Sequence, residues 1–216
     1  MLPPPPSARV RILLGWLLAA AVLTDLATPA LATTKGLNQI VTPDIQPAGV
    51  LSLSAQAQHA LIGNSQEVQF ELGLTKNFEV SFFHGFKPQE EIAGAEFNFF
   101  QQGPHLLTLG AVNWSSHGGG AQPVLEYGCY GAADHFIAGA IYAGQRTEAV
   151  LGYSHQLAEK LQFSADWQSG PGNSATLGFT YNFTPNLQTN PAIYFTNSKP
   201  RHALGYLVVS WNLPVW

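Results

Sequence analysis

The sequence predicts an all-β chain that closes into an up-and-down antiparallel transmembrane β-barrel of about twelve strands, with ten as the alternative count. Three observations carry that expectation. Apolar and polar residues alternate with period 2 from Ala48 almost to the last residue, the pattern of strands with one apolar and one polar face. Short polar turns alternate with somewhat longer loops, as in a membrane-spanning meander. Only 10% of residues are charged, where ordinary globular domains carry about a quarter.

Taken in order, residues 1–32 begin with Arg9 and Arg11, continue through an apolar run from Ile12 to Leu23 and end in Ala30-Leu31-Ala32. A basic start, a short apolar stretch and a small-x-small site describe a secretory signal peptide cleaved after Ala32. The run is too short for a spanning helix, which needs about 20 residues. Residues 33–47, TTKGLNQIVTPDIQP, have no sustained period. They form a lead-in, and their composition leaves open whether they plug the lumen of the barrel expected over 48–216. Beyond residue 32 the chain carries seven basic and twelve acidic residues, a net charge of −5, which argues against a nucleic-acid partner. Cys129 is alone, so no intrachain disulfide is expected.

The clearest hairpin is 67–86, EVQFELGLTKNFEVSFFHGF, where two alternating halves flank Lys76-Asn77. Val68, Phe70, Leu72, Leu74, Phe78, Val80 and Phe82 share one face, and Glu67, Gln69, Glu71, Gly73, Glu79 and Ser81 the other. Strands are expected near 49–59, 67–75, 78–86, 92–101, 105–114, 123–131, 135–144, 148–157, 161–169, 174–183, 187–196 and 203–213. Most match the 9–11 residues of a tilted membrane strand. Short turns fall at 76–77, 102–104, 132–134, 159–160 and 184–186; the other connections are loops of about three to eight residues, such as 87–91 and 115–122. An even strand count places both barrel termini on the periplasmic side with the short turns.

The polar face carries the candidate permeation residues: Glu67, Glu71, Glu79, Glu96, Glu126, Glu148 and Asp166, while Lys and Arg after residue 33 lie almost wholly in turns and loops. Buried carboxylates without counter-charges are costly, so a hydrated, acid-lined lumen is expected, favouring cations. Phe78, Trp114, Trp167, Tyr181, Trp211 and Trp216 gather near strand ends, where a barrel in lipid places aromatic girdles. Gly73, Gly94, Gly110, Gly128, Gly139, Gly152 and Gly178 recur in mid-strand, relieving crowding on a concave wall. Tyr127, Tyr130, Tyr142 and Tyr194 are candidates either to line the channel or to join the girdles.

With these residues in place the chain resembles small bacterial outer-membrane β-barrels. More narrowly, GVLSLSAQAQ, VQFELGLTKNFEVSF and the closing LGYLVVSWNLPVW are similar to putative outer-membrane transporters of the phenol-degradation type. The resemblance implies an outer-membrane channel or transporter for a small solute of unknown identity. The final strand, with Trp211, Leu213 and terminal Trp216, is similar to the aromatic-ended strand that the outer-membrane assembly machinery recognises. The lipid bilayer and that machinery are the expected partners, the barrel is expected to be a monomer, and no cofactor or metal is expected. A non-conducting structural or adhesin-type barrel and an outer-membrane hydrolase are the alternatives. Against the hydrolase, Ser115-Ser116-His117-Gly118-Gly119-Gly120 resembles an oxyanion segment but no G-x-S-x-G accompanies it, and that motif supplies the serine. Gly152-Tyr153-Ser154-His155-Gln156 is similar to the His-bearing strand of the outer-membrane phospholipase, yet Leu157-Ala158 stand where its nucleophile should follow. Glu90-Glu91 are expected to be solvated loop charges.

Overall fold

A computed structural model describes residues 36–118 and 120–216. The expected signal peptide, 1–32, lies outside the described residues. Twelve strands follow one another: β1 (Val50–Gln58), β2 (Gln66–Thr75), β3 (Phe78–Phe86), β4 (Gln89–Gln102), β5 (His105–Ser115), β6 (Gln122–Tyr130), β7 (Asp134–Tyr142), β8 (Thr147–Ala158), β9 (Leu161–Gln168), β10 (Ser174–Thr184), β11 (Leu187–Thr196) and β12 (Ala203–Pro214). Each pairs antiparallel with its sequence neighbours, and β1 pairs with β12, from Val50↔Pro214 to Gln58↔Tyr206, closing the barrel. Twelve, and not ten, is therefore the strand count.

The period-2 alternation decides which face is which, and the faces are inverted relative to a soluble barrel. Phe70, Phe82, Phe97, Leu109, Leu125, Leu151, Leu177, Ile193 and Leu207 are exposed on the outer surface, while Ser52, Ser54, Asn98, Thr108, Thr176, Asn190 and Asn212 are buried inside. An apolar exterior over a polar interior is the arrangement of a barrel in lipid. Aromatic side chains mark both rims. Phe78, Tyr181, Trp211 and Trp216 lie at the short-turn end, and Trp114 and Trp167 at the loop end. Trp114, 64% exposed, reaches the outer surface through a bulge. Gly94 faces an extra residue between Ala111 and Trp114, where Asn113 has φ 56°. The inserted residue shifts the alternation by one and aims the indole outward.

The largest boundary difference from expectation is at the start of β4. β4 runs fourteen residues, Gln89–Gln102, so the 87–91 loop shrinks to Lys87-Pro88. Glu90 and Glu91 pair with Gly85 and His84 in the ladder and are not solvated loop charges. Glu91 Oε1 lies 2.6 Å from His84 Nδ1, and Glu90 accepts hydrogen bonds from Asn64 Nδ2 at 3.0 Å and from Ser115 Oγ. These partners hold the carboxylates in the sheet where sequence alone suggested water.

The exposed Leu151 sits at mid-height of β8. Leu151→Arg is expected to lower unfolding stability in lipid vesicles by about 2–4 kcal/mol, the cost of a cation at mid-bilayer. Lys160→Glu, in the turn between β8 and β9, is expected to change it by less than about 0.5 kcal/mol; urea titrations read by heat-modifiable gel migration compare the two.

Candidate functional site in the barrel lumen

The inner wall carries all seven predicted carboxylates. Glu67 and Glu71 on β2, Glu79 on β3, Glu96 on β4, Glu126 on β6, Glu148 on β8 and Asp166 on β9 are buried. The sequence-based expectation was that water would solvate them. Instead, much of the lumen is filled by the lead-in segment, residues 36–47, which folds into the barrel as a loop.

The path of that loop follows from its contacts. Gly36 and Leu37 line the turn-end cavity together with Glu159, Gln162, Asn182 and Gln188. Deeper, Ile40 is buried against Val112, Val124, Ile137, Ile141 and Val150, with Leu37 and Val41 packed alongside. Gln39 reaches towards the loop end, its Nε2 lying 3.5 Å from Gln168 Oε1. The chain then returns through Pro43 and Asp44 to Gln46 and Pro47, which lie against Gly73 near the β2–β3 turn. Two hydrogen bonds tie the loop to itself, Leu37 N to Ile40 O at 3.1 Å and Gly36 N to Thr42 Oγ1 at 3.2 Å.

Polar groups of the wall complete the docking. Asp166 Oδ2 accepts the backbone N–H groups of Asn38, at 2.7 Å, and Gln39, at 3.2 Å. Glu79 Oε2 accepts the Gln46 N–H at 2.6 Å. Asn38 is held on every side: its Oδ1 accepts from Ser164 Oγ at 2.9 Å and Asn190 Nδ2 at 3.1 Å, and its Nδ2 donates to Thr176 Oγ1 at 3.0 Å. Tyr194 donates its hydroxyl to Asn38 O at 2.5 Å, Thr108 donates to Pro43 O at 2.5 Å, and Tyr130 donates to Asp44 Oδ1 at 2.7 Å. Two of the four candidate tyrosines, 130 and 194, therefore face inward, whereas Tyr127 and Tyr142 are exposed outside. Prolines 43 and 47 suit this interior because neither has an N–H to satisfy.

The mid-strand glycines now acquire a specific reason. A Cβ on Gly73 would collide with the carbonyls of Gln46 and Pro47, one on Gly128 with Pro43, one on Gly152 with Leu37 and Ile40, and one on Gly178 with Asn38. Four of the seven glycines are thus the bed on which the segment lies. The apolar inner patch on β5–β8 is its socket: Val112, Val124, Ile137, Ile141 and Val150 occupy polar-face positions, and Ile40 fills the space between them. Burying one isoleucine side chain contributes roughly 1.5–3 kcal/mol, comparable to one charge-assisted hydrogen bond of about 1.5–3 kcal/mol. Interrupted polarity on those four strands was the sequence signal that the lead-in had a destination.

Two vestibules flank the segment. The turn-end cavity, about 370 Å³, includes Asp44, Tyr130, His135, Gln156 and Glu159 in its lining. The loop-end cavity, about 380 Å³, includes Gln39, Asn113, Gln122, Arg146 and Glu148. There Glu148 accepts hydrogen bonds from Arg146 Nε at 2.6 Å, Gln168 Nε2 at 2.8 Å and Asn173 Nδ2 at 2.7 Å. Residues 36–47 thus lie between two cavities, where a continuous water-filled lumen was expected from sequence. The two hydrolase-like motifs come apart. Ser154 is buried inside, while His155, the next strand residue, faces outward and shares a 2.8 Å contact with Asp134 Oδ1. Ser115 donates to Glu90, and its Oγ accepts the His117 N–H at 3.0 Å.

Among solved structures the chain is similar to the KdgM porin, at 8% identity over 75% of this chain and 98% of that one, with a TM-score of 0.54. The KdgM porin in complex with disordered oligogalacturonate matches at 7% identity over 75% and 98%, with a TM-score of 0.57. The Acinetobacter baumannii outer membrane protein Omp33 matches at 12% identity over 76% and 97%, with a TM-score of 0.52. At these identities the likeness establishes the fold alone. No family model matches the chain, and no curated protein matches it.

Asp166→Asn removes the charge that receives the Asn38 and Gln39 amides, and hydrogen bonds to charged groups contribute about 1.5–3 kcal/mol. Hydrogen exchange is expected to accelerate at least about tenfold in residues 36–47, with 203–214 in β12, separated from β9 by β10 and β11, unchanged. Equal protection in both proteins would show that Asp166 does not hold the segment.

Proposed function

We propose that this protein is an outer-membrane channel or transporter for small solutes, with its route along the acidic inner wall. The observation that carries the reading is the inverted barrel, apolar and aromatic outside and lined with seven carboxylates inside. The described Lys and Arg residues lie outside the strands, so the charges borne by the wall strands themselves are acidic, and Arg146 reaches Glu148 from the β7–β8 loop. Carboxylate-lined pores favour cations and cationic solutes. KdgM was solved with an oligogalacturonate; a wall of carboxylates disfavours an acidic oligosaccharide here. The phrases similar to phenol-degradation-type transporters support a small solute as cargo and do not identify it. The structural-barrel reading is favoured by one observation, the close packing of residues 36–47 inside the lumen. It is distinguished by whether current ever flows.

Refolded protein in a planar bilayer under a salt gradient is expected to give discrete openings with a cation-selective reversal potential, after a heat-modifiable gel shift confirms a folded barrel. Replacing Glu71, Glu79 and Glu96 together by Gln is expected to move the reversal potential towards zero. An unchanged reversal potential would remove these residues from the route, and a folded barrel that never conducts would leave the structural reading.

A further inference from the structure

Residues 36–47 occupy two groups that a cationic channel would need. Asp166 Oδ2 faces two consecutive backbone amides, at 2.7 and 3.2 Å, and Glu79 Oε2 faces a third at 2.6 Å. A carboxylate oxygen flanked by paired N–H donors is in the environment that an ammonium or guanidinium group also supplies, with the added charge on the donor. We infer that the segment is a built-in competitor for the channel's own solutes: its amides take Asp166 and Glu79 in the closed state, and a solute bearing ammonium or guanidinium N–H groups takes them when the segment withdraws. This inference rests on the channel reading above.

Topology makes withdrawal possible. Both ends of the segment lie at the short-turn end, Gly36 lining the cavity that Glu159 and Gln188 also line and Pro47 against Gly73, so the loop 36–47 can leave by the way it entered. Its contacts are also of a releasable kind. They comprise backbone amides on two carboxylates, hydroxyls on backbone carbonyls and on Asp44, the Asn38 side-chain amide on Ser164, Thr176 and Asn190, and apolar Ile40 in a patch of five wall residues with Leu37 and Val41 alongside. Of the glycine bed, Gly73 receives the segment's main chain, the carbonyls of Gln46 and Pro47 filling the space of a Cβ, while Gly128, Gly152 and Gly178 make room for the side chains of Pro43, of Leu37 and Ile40, and of Asn38. Neither carboxylate is lost when the loop leaves: Asp166 on β9 and Glu79 on β3 remain on the wall and face whatever replaces it.

Gly178 offers a lock. A Cβ built there lies 2.8 Å from Asn38 Cγ, the position that the sulphur of a cysteine at 38 would take, and a disulfide needs that proximity. The experiment is single-channel recording of full-length refolded protein in which Cys129→Ser removes the native thiol and N38C/G178C pins the segment. A second variant, Gly73→Val, evicts it, and all proteins are first checked for heat-modifiable migration. The oxidised N38C/G178C barrel is expected to stay silent and to open on reduction. Gly73→Val is expected to raise open probability about tenfold. Millimolar methylguanidinium chloride, against equal sodium chloride, is expected to raise the opening frequency of the wild type several-fold and to leave the oxidised variant silent. Equal conductance in the oxidised, reduced and wild-type proteins would overturn the inference while leaving the channel reading intact. Disulfide gating without a methylguanidinium effect would overturn the competition. A folded Gly73→Val barrel that passes no current would remove the channel reading and this inference with it.

Discussion

Backbone hydrogen bonding is the constraint on which everything else in this structure depends. In hydrocarbon an unpaired N–H or C=O costs several kcal/mol, so strands can cross only as a closed ladder. The β1–β12 pairing, running from Val50↔Pro214 to Gln58↔Tyr206, removes the two edges that an open twelve-stranded sheet would present. Once the ladder is closed, side-chain alternation has only two destinations, lipid and lumen. Leu, Phe and Trp can face lipid at little cost, and the glutamates cannot.

Closure creates a second requirement that the strands cannot meet alone. A barrel of this size encloses space lined with carboxylates, amides and hydroxyls, and each of these groups needs water or a partner. Residues 36–47 provide partners for part of the wall through backbone amides and carbonyls, with Asn38 linked to β9, β10 and β11. At the loop end Asn64 and Ile62, from the β1–β2 connection, add a further inward contact, with Asn64 bonded to Glu90 and Ile62 packed against the cluster of Ala192, Tyr194 and Leu204. Two of the wall carboxylates, Asp166 and Glu79, thus serve as anchors for the segment.

Much of this was legible from residues alone. Hairpin 67–86 revealed its two faces and its turn, and the period-2 reading put on the polar face seven carboxylates that the structure buries. Trp114 needed a bulge at Asn113 to face outward, which alternation does not reveal. Glu90-Glu91 were misread because adjacent acidic residues resemble solvated charge until Asn64, Ser115 and His84, distant in sequence, come beside them. The place of the lead-in was left open for a similar reason: an aperiodic stretch of fifteen residues, 33–47, carries no periodic mark of the surface it will meet.

By itself, then, the sequence determined the strand positions, the inward and outward faces and the placement of both rims, because period 2 and turn chemistry are local properties of the chain. Only the tertiary structure decided that the lumen is occupied and that Gly73, Gly128, Gly152 and Gly178 form the bed of the occupant. Those contacts join positions such as Asn38 and Asp166, 128 residues apart. Their geometry exists only after the ladder has closed and set the width of the space inside.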